Sequence, residues 1–383
     1  EYVTTSAENT LLYAPMHSGI YTVKLRVTDE NGDFSELSSN EVSVALHDSS
    51  PVEDFTFKTL NGTYCEITGY VGSDTALVLP EADSEGHIVQ NIASNAFKNK
   101  TELRSVVIPD CVETMGSNVF YGCSNLLTVI GGAKLTNIGS NAFYNCASLK
   151  NYLFEELTET IGDYAFYGCY SLQHFEGWNG IKTIGRSAFS GLSGLRSVSL
   201  PEGLTTLNYN AFSGCTALES IHLPDSITTM YDSVFSGCSK LSSVNYPLNW
   251  TTKAYSNRDY SPFYNCPKLT SIVVPEGVTS IPANAFYGMT SLKNIELPST
   301  LNTIDSCAFY HCAGMASIVL PEGLTTIGGS AFVGCSGLTS IIIPQGITEV
   351  KRYTFSDCTG LRSVSLPEGL TTLNYNAFSG CTA

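Results

Sequence analysis

Residues 338–360 read LTSIIIPQGITEVKRYTFSDCTG, and the same grammar returns at 195–217 (LRSVSLPEGLTTLNYNAFSGCTA) and 269–291 (LTSIVVPEGVTSIPANAFYGMTS). Each stretch opens with apolar residues at alternate positions, the pattern of a short strand with one buried face. A proline follows, Pro344 in the first stretch, and ends the strand because it has no N–H to pair. A second short apolar segment comes next (Ile347, Val350), then Phe355 and, three residues on, Cys358. That phenylalanine recurs thirteen times, as Phe97, Phe120, Phe143, Phe166, Phe189, Phe212, Phe235, Phe263, Phe286, Phe309, Phe332, Phe355 and Phe378. Eleven of the twelve intervals are 23 residues, and Phe235 to Phe263 is 28. One such unit cannot bury its own apolar side, so the period predicts a solenoid whose coils make a core only by stacking. At the strand spacing of about 4.8 Å, thirteen coils span roughly 60 Å.

The composition narrows the function. The chain has 383 residues with 35 acidic against 19 basic, a formal charge of −16. Such a field repels phosphate backbones, so nucleic acid is excluded as a partner. No run approaches the roughly 18 apolar residues of a membrane helix, so no transmembrane segment is expected. The chain begins at Glu1 without a signal-peptide pattern and reads as an excised or mature segment. The six histidines (His17, His47, His87, His174, His222, His311) are scattered, and none falls in a metal or nucleophile motif. No catalytic residues, cofactor or metal ligands are therefore expected.

The cysteines follow the repeat. Ten of thirteen stand three residues after the recurrent phenylalanine, and the same slot holds Lys100, Leu192 and Met289 in the other coils. Leucine and methionine neither ligate zinc nor form disulfides, so the slot asks for a small or flexible apolar group. Column neighbours about 4.8 Å apart also sit beyond the usual disulfide Cβ separation of about 3.5–4.5 Å. Cys65, Cys111 and Cys307 lie off this column.

The consensus Leu-x-Ser-Ile-x-Leu-Pro-x-x-Leu-x-x-Ile-x-x-x-Ala-Phe-x-x-Cys resembles the BspA-like (Treponema pallidum-type) leucine-rich repeats of bacterial cell-surface proteins. The resemblance covers 76–383, about 13 coils. It implies a curved leucine-rich-repeat array with short parallel β-strands on one face, secreted or at the cell surface, and non-catalytic. It also implies an adhesin-like role towards host matrix proteins or other microbes; the expected partner is an extracellular protein or glycan ligand, and the chain is expected to act as a monomer. Coils 149–171 and 172–194 depart from the pattern by lacking the proline.

The N-terminal part obeys other rules. Apolar residues alternate over Tyr21, Val23, Leu25 and Val27 and again over Val42 and Val44, with an Asn31-Gly32 turn signal between. Residues 1–50 are read as a small all-β segment resembling part of a fibronectin-III or PKD-like β-sandwich. Residues 51–75 are read as a linker and a hairpin around Asn61-Gly62 that caps the first coil. Residues 194–217 and 360–383 are identical over 24 positions, which points to recent duplication rather than separate tuning for one ligand.

Two surfaces are candidates for a partner. Position five of each coil should face outward on the first strand, and there aliphatics cluster at Val107, Ile130 and Leu153 and again at Val319 and Ile342. Position three is nearly all small and polar, as in Ser105, Ser220 and Ser340, and suggests a hydrogen-bonding ladder. The second candidate is the five-residue insertion in 246–264, which concentrates Tyr246, Trp250, Tyr255, Arg258, Tyr260 and Tyr264. These residue types are enriched in binding hot spots, but a bulged coil could equally fold them inward to fill space. A carboxylate column after the proline (Asp110, Glu202, Asp225, Glu276) offers too few ligands around one point for calcium. The composite reading is a non-catalytic surface adhesin, with a structural spacer that holds other domains off the cell surface as the alternative.

Overall fold

The computed structural model describes residues 49–153, 157–176, 178–253 and 260–383, and within 19–44 the strands Gly19–Tyr21, Lys24–Thr28, Phe34–Ser38 and Val42–Val44. Each regular coil contains two short parallel strands and a tight turn. The first strands pair in a 23-residue register, Ser197↔Ser220, Val198↔Ile221 and Ser199↔His222. The second strands hold only two residues and keep the same register, Met115↔Ile138, Ile138↔Ile161 and Ile161↔Ile184. Every inward side chain therefore stacks on its own equivalent, and Val106, Ile221 and Ile341 are buried with Met115, Ile138 and Val350 in one continuous core.

The third side of the coil is the turn that carries the phenylalanine. Phe120 N–H donates forward to Ala142 O at 2.7 Å and Gly122 N–H to Tyr144 O at 2.8 Å. On the strand side Leu127 N–H reaches back to Arg104 O at 2.8 Å. Two left-handed residues hold the turn in shape. The residue two after each phenylalanine has φ between +56° and +80° in all thirteen coils, and the residue two before has φ between +51° and +67° in twelve. Glycine, asparagine and aspartate tolerate that region best, which explains the Asn before and the Gly after so many of these phenylalanines. Cys307 occupies one of the earlier slots, at φ +56°, and so belongs to the turn geometry.

The phenylalanine rings stack at 5.0–5.7 Å with interplanar angles of 6–23° from Phe97 to Phe263 and from Phe286 to Phe378. Beneath them, each of the ten column thiols donates to the carbonyl of the preceding coil's phenylalanine at 3.1–3.3 Å, as Cys146 does to Phe120 O. Burial pushes the Cys123, Cys266 and Cys358 thiols up to about 12. The column is thus a row of protonated donors that satisfy buried carbonyls.

At the N-terminal side Phe55–Thr59 and Tyr64–Tyr70 form an antiparallel hairpin, and the second of these strands pairs in parallel with Ile88–Ile92. The Asn61 side chain accepts from the N–H groups of Thr63 and Tyr64 to fix the turn. Phe55 and Tyr70 lie 6.5 and 6.4 Å from Phe97 and close the ring stack there. Lys24–Thr28 pairs antiparallel with Phe34–Ser38, and Gly19–Tyr21 with Val42–Val44.

Candidate binding groove at the inserted coil

The five extra residues fall between Phe235 and Phe263, and the structure divides their aromatics by direction. Tyr246 and Trp250 turn inward, with rings 5.1 Å apart and each within about 6.5 Å of Phe286. They are 4% and 1% exposed. The expectation that Tyr246 and Trp250 meet a ligand is corrected accordingly. They fill space above Phe286, on which Phe263 does not stack, and large rings supply the apolar volume that the interrupted column needs. Tyr255 and Arg258 lie outside the described residues. Tyr260 stays half-exposed, together with Tyr264.

The backbone slips at the same place. In regular coils the phenylalanine N–H bonds the carbonyl just before the next phenylalanine. Here the Phe263 N–H donates instead to Ser261 Oγ at 3.1 Å, and that hydroxyl donates on to Ala285 O at 2.8 Å. The Ser261 N–H meanwhile reaches Tyr287 O at 3.2 Å. Ser261 stands two before its phenylalanine and is the exception to the left-handed rule at that slot. Met289 replaces the column cysteine in the following coil and, with Phe263, Cys266 and Leu269, lines a crevice of about 20 Å³. An adaptable side chain suits such a gap. Among the described residues, neither strand series pairs across the step from coil 241–268 to coil 269–291.

Directly outside this slip lies an open groove of about 290 Å³ lined by Tyr260, Tyr264, Asn265, Tyr287, Gly288, Thr290 and His311. Elsewhere on this face tyrosines close on one another, as Tyr121, Tyr144 and Tyr167 do at successive spacings of 4.9 Å. At the slip Tyr260 stacks on Tyr264 at 4.2 Å and stands edge-on to Tyr287 at 6.2 Å and 76°. Tyr264 lies against Gly288, where an added Cβ would meet its ring at 3.0 Å. Tyr287 stacks on Tyr310 at 4.6 Å, and His311 meets Tyr310 edge-on at 4.5 Å. Among the described residues the lining holds no carboxylate, lysine or arginine.

His311 was not singled out as a site residue from the sequence. It occupies the left-handed slot two after Phe309, at φ +57°, and the other twelve coils place Gly, Asn or Asp there. A histidine at that φ is less favourable than glycine, which sets it apart within its column. Alignment of the coils by their phenylalanines would have exposed it as the odd member of its column.

The remaining candidates sort as follows. Val319 and Ile342 are 83% and 71% exposed, whereas Val107 and Ile130 are half-buried, and the Leu153 side chain lies outside the described residues. Residues 315–320 carry no strand, so Val319 projects from irregular backbone. The position-three row makes no side-chain ladder among the described residues. The bonds come instead from position two, where Ser242 Oγ and Thr339 Oγ1 donate to Glu219 O and Ala316 O. The carboxylate column ties coils together, since Asp225 accepts from Leu248 N–H at 2.8 Å and Glu276 from Ser299 N–H at 2.9 Å. Those Ser299 hydrogen bonds lower the Glu276 pKa.

The family model for the BspA type leucine rich repeat region matches 90–182, 159–258 and 256–383, in six copies. The chain belongs to the BspA-type leucine-rich repeat family. A leucine-rich repeat protein of Bacteroides ovatus is similar at 26% identity, with a TM-score of 0.65 over 86% of this chain and 91% of that one. A leucine rich cell surface protein of Faecalibacterium prausnitzii is similar at 26% identity, with a TM-score of 0.51 over 88% of this chain and 94% of that one. No curated protein matches the chain. Among the described residues no helix is long and apolar enough to cross a membrane.

Proposed function

We propose that this BspA-type array is a non-catalytic cell-surface binding protein, adhesin-like in role, that takes an extracellular protein or glycan in the groove beside its inserted coil. The observation that carries the reading is the groove itself. The repeat needs Phe263, Phe286 and Phe309 to fold, but it does not need Tyr264, whose slot is Ser190, Ser213 and Ser236 in other coils, nor Tyr260, whose slot is Ser94, Ser117 and Ser140, nor His311, whose slot is most often glycine. Tyrosine offers large, rigid contact area at small entropic loss, which suits a binding surface. The family and the surface location of a similar protein support an extracellular site of action.

The test is a screen of the purified chain against extracellular-matrix proteins, mucins and glycans, run beside a Tyr260→Ala variant. Saturable binding lost in the variant supports the groove. Binding retained moves the site to the strand face around Val319 and Ile342. Absence of binding to every class favours the spacer, a role that the long uninterrupted runs of regular coils would serve.

A further inference from the structure

We propose that the groove receives one neutral pyranose unit of a glycan, an assignment that rests on the reading of this groove as the binding site. A pyranose has a flat C–H face and a rim of hydroxyls, and the groove offers a complement to both. Tyr260 and Tyr287 set two aromatic surfaces roughly at right angles, 6.2 Å between centroids. Ring faces carry the negative side of the quadrupole and attract polarised C–H groups. Around them stand the tyrosine hydroxyls, the Asn265 amide, the Thr290 hydroxyl and the His311 imidazole, all lining the same space. Amide and imidazole each combine donor and acceptor capacity, and the hydroxyls do both as well, which matches the mixed character of sugar hydroxyls.

Size and charge select within the carbohydrates. About 290 Å³ lies at the small end of ligand sites, of about 300–1,000 Å³, and suits a single ring with its substituents rather than an enclosed oligosaccharide. Among the described residues the lining carries no cation, and on a chain of formal charge −16 that described lining offers a sialate or sulfate no compensation. Neutral hexoses and their N-acetylated forms are therefore favoured over acidic sugars.

The experiment titrates neutral monosaccharides and disaccharides into the full chain with two-dimensional NMR and calorimetry, and compares neutral with sialylated and sulfated glycans on an array. The key variant is His311→Gly, because glycine already occupies this slot in eight other coils and relieves the left-handed strain. Its melting temperature should equal or exceed that of the parent, while neutral-sugar affinity falls about tenfold, the scale of a lost hydrogen bond in a binding site. Tyr260→Ala should lower affinity at least as far. Equal or better binding of acidic glycans, or sugar binding untouched by both variants, overturns the proposal. If an unglycosylated protein binds and loses affinity in both variants while sugars do not bind, the groove stands and the sugar assignment falls. If neither sugar nor protein binds, both fall.

Discussion

The coils from Phe286 to Phe378 and the step at the insertion use the same residues to opposite ends. In the regular run, ring stacking, the thiol-to-carbonyl bond and the forward hydrogen bond of the phenylalanine N–H all repeat at one spacing, so each coil is stabilised by both neighbours. At the insertion Phe263 does not stack on Phe286, Met289 gives no thiol to the Phe263 carbonyl, and Ser261 replaces the direct backbone bond. Strand pairing also pauses on both series between Thr326–Ile327 and Glu349–Val350. There, however, Phe332 still stacks on Phe355 at 5.3 Å and its N–H still reaches Thr354 O at 2.8 Å. The contrast teaches that the phenylalanine turn is the part of the coil that carries continuity. Where it slips, surface residues from three coils can part and leave a groove.

The largest expected effect tests the thiol column. Burial raises the folded-state pKa of Cys146, Cys169, Cys312, Cys335 and Cys381, and takes Cys123, Cys266 and Cys358 to about 12. A raised pKa means that their contribution is complete below the unfolded thiol value of about 8.5 and is lost as pH rises towards the folded values. Each such thiol removes about 1.4 kcal/mol per pH unit in that window. Chemical denaturation should show stability flat up to about pH 8 and then falling steeply, with unfolding well before pH 12. A Cys312→Ala variant should lessen the slope, and an unchanged alkaline limb in that variant would contradict the buried-donor account.

Ring deletions sharpen the comparison next. Phe309, stacked on Phe286 and on Phe332, should cost about 4 kcal/mol on replacement by alanine. Phe263, which among the described residues stacks only on Phe235, should cost nearer 3 kcal/mol. Denaturation midpoints of Phe309→Ala and Phe263→Ala measure the gap, and equal losses would break the distinction between the two regions. A gain is expected at Tyr246, whose buried hydroxyl finds no hydrogen-bond partner among the described residues. Tyr246→Phe should stabilise by about 1 kcal/mol, since the desolvated hydroxyl is removed at little change in shape. Smallest of all, Val319→Thr should shift stability by less than about 0.5 kcal/mol because the side chain projects into solvent.

Much of this was legible in the sequence. The interval between phenylalanines set the register, and Leu192 and Met289 in the cysteine slot already showed that the column was packing rather than metal chemistry. The partner of each thiol was not legible, because a bond from Cys146 to the Phe120 carbonyl depends on how far one coil advances on the next. The insertion was recognised as a concentration of aromatics, yet nothing in its composition distinguishes Trp250, which turns inward, from Tyr260, which stays at the surface. That choice depends on the space left above Phe286. The groove was harder still, since it draws on Tyr260, Tyr287 and His311 from three coils and takes shape only once the backbone slips. His311, in a column that is glycine, asparagine or aspartate in the other twelve coils, was the one available signal, and it emerges when the repeats are aligned by their phenylalanines.

The relay through Ser261 also has a mechanical consequence. Tension applied along the array loads the coil-to-coil bonds one step at a time, and the step with the fewest direct bonds yields first. Opening one 23-residue coil releases roughly 80 Å of chain from a unit that occupied about 5 Å of the stack. A partner held beside the insertion would therefore sit next to the segment that lengthens first under load, and the same slip that shapes the groove would set the force at which the tether begins to extend.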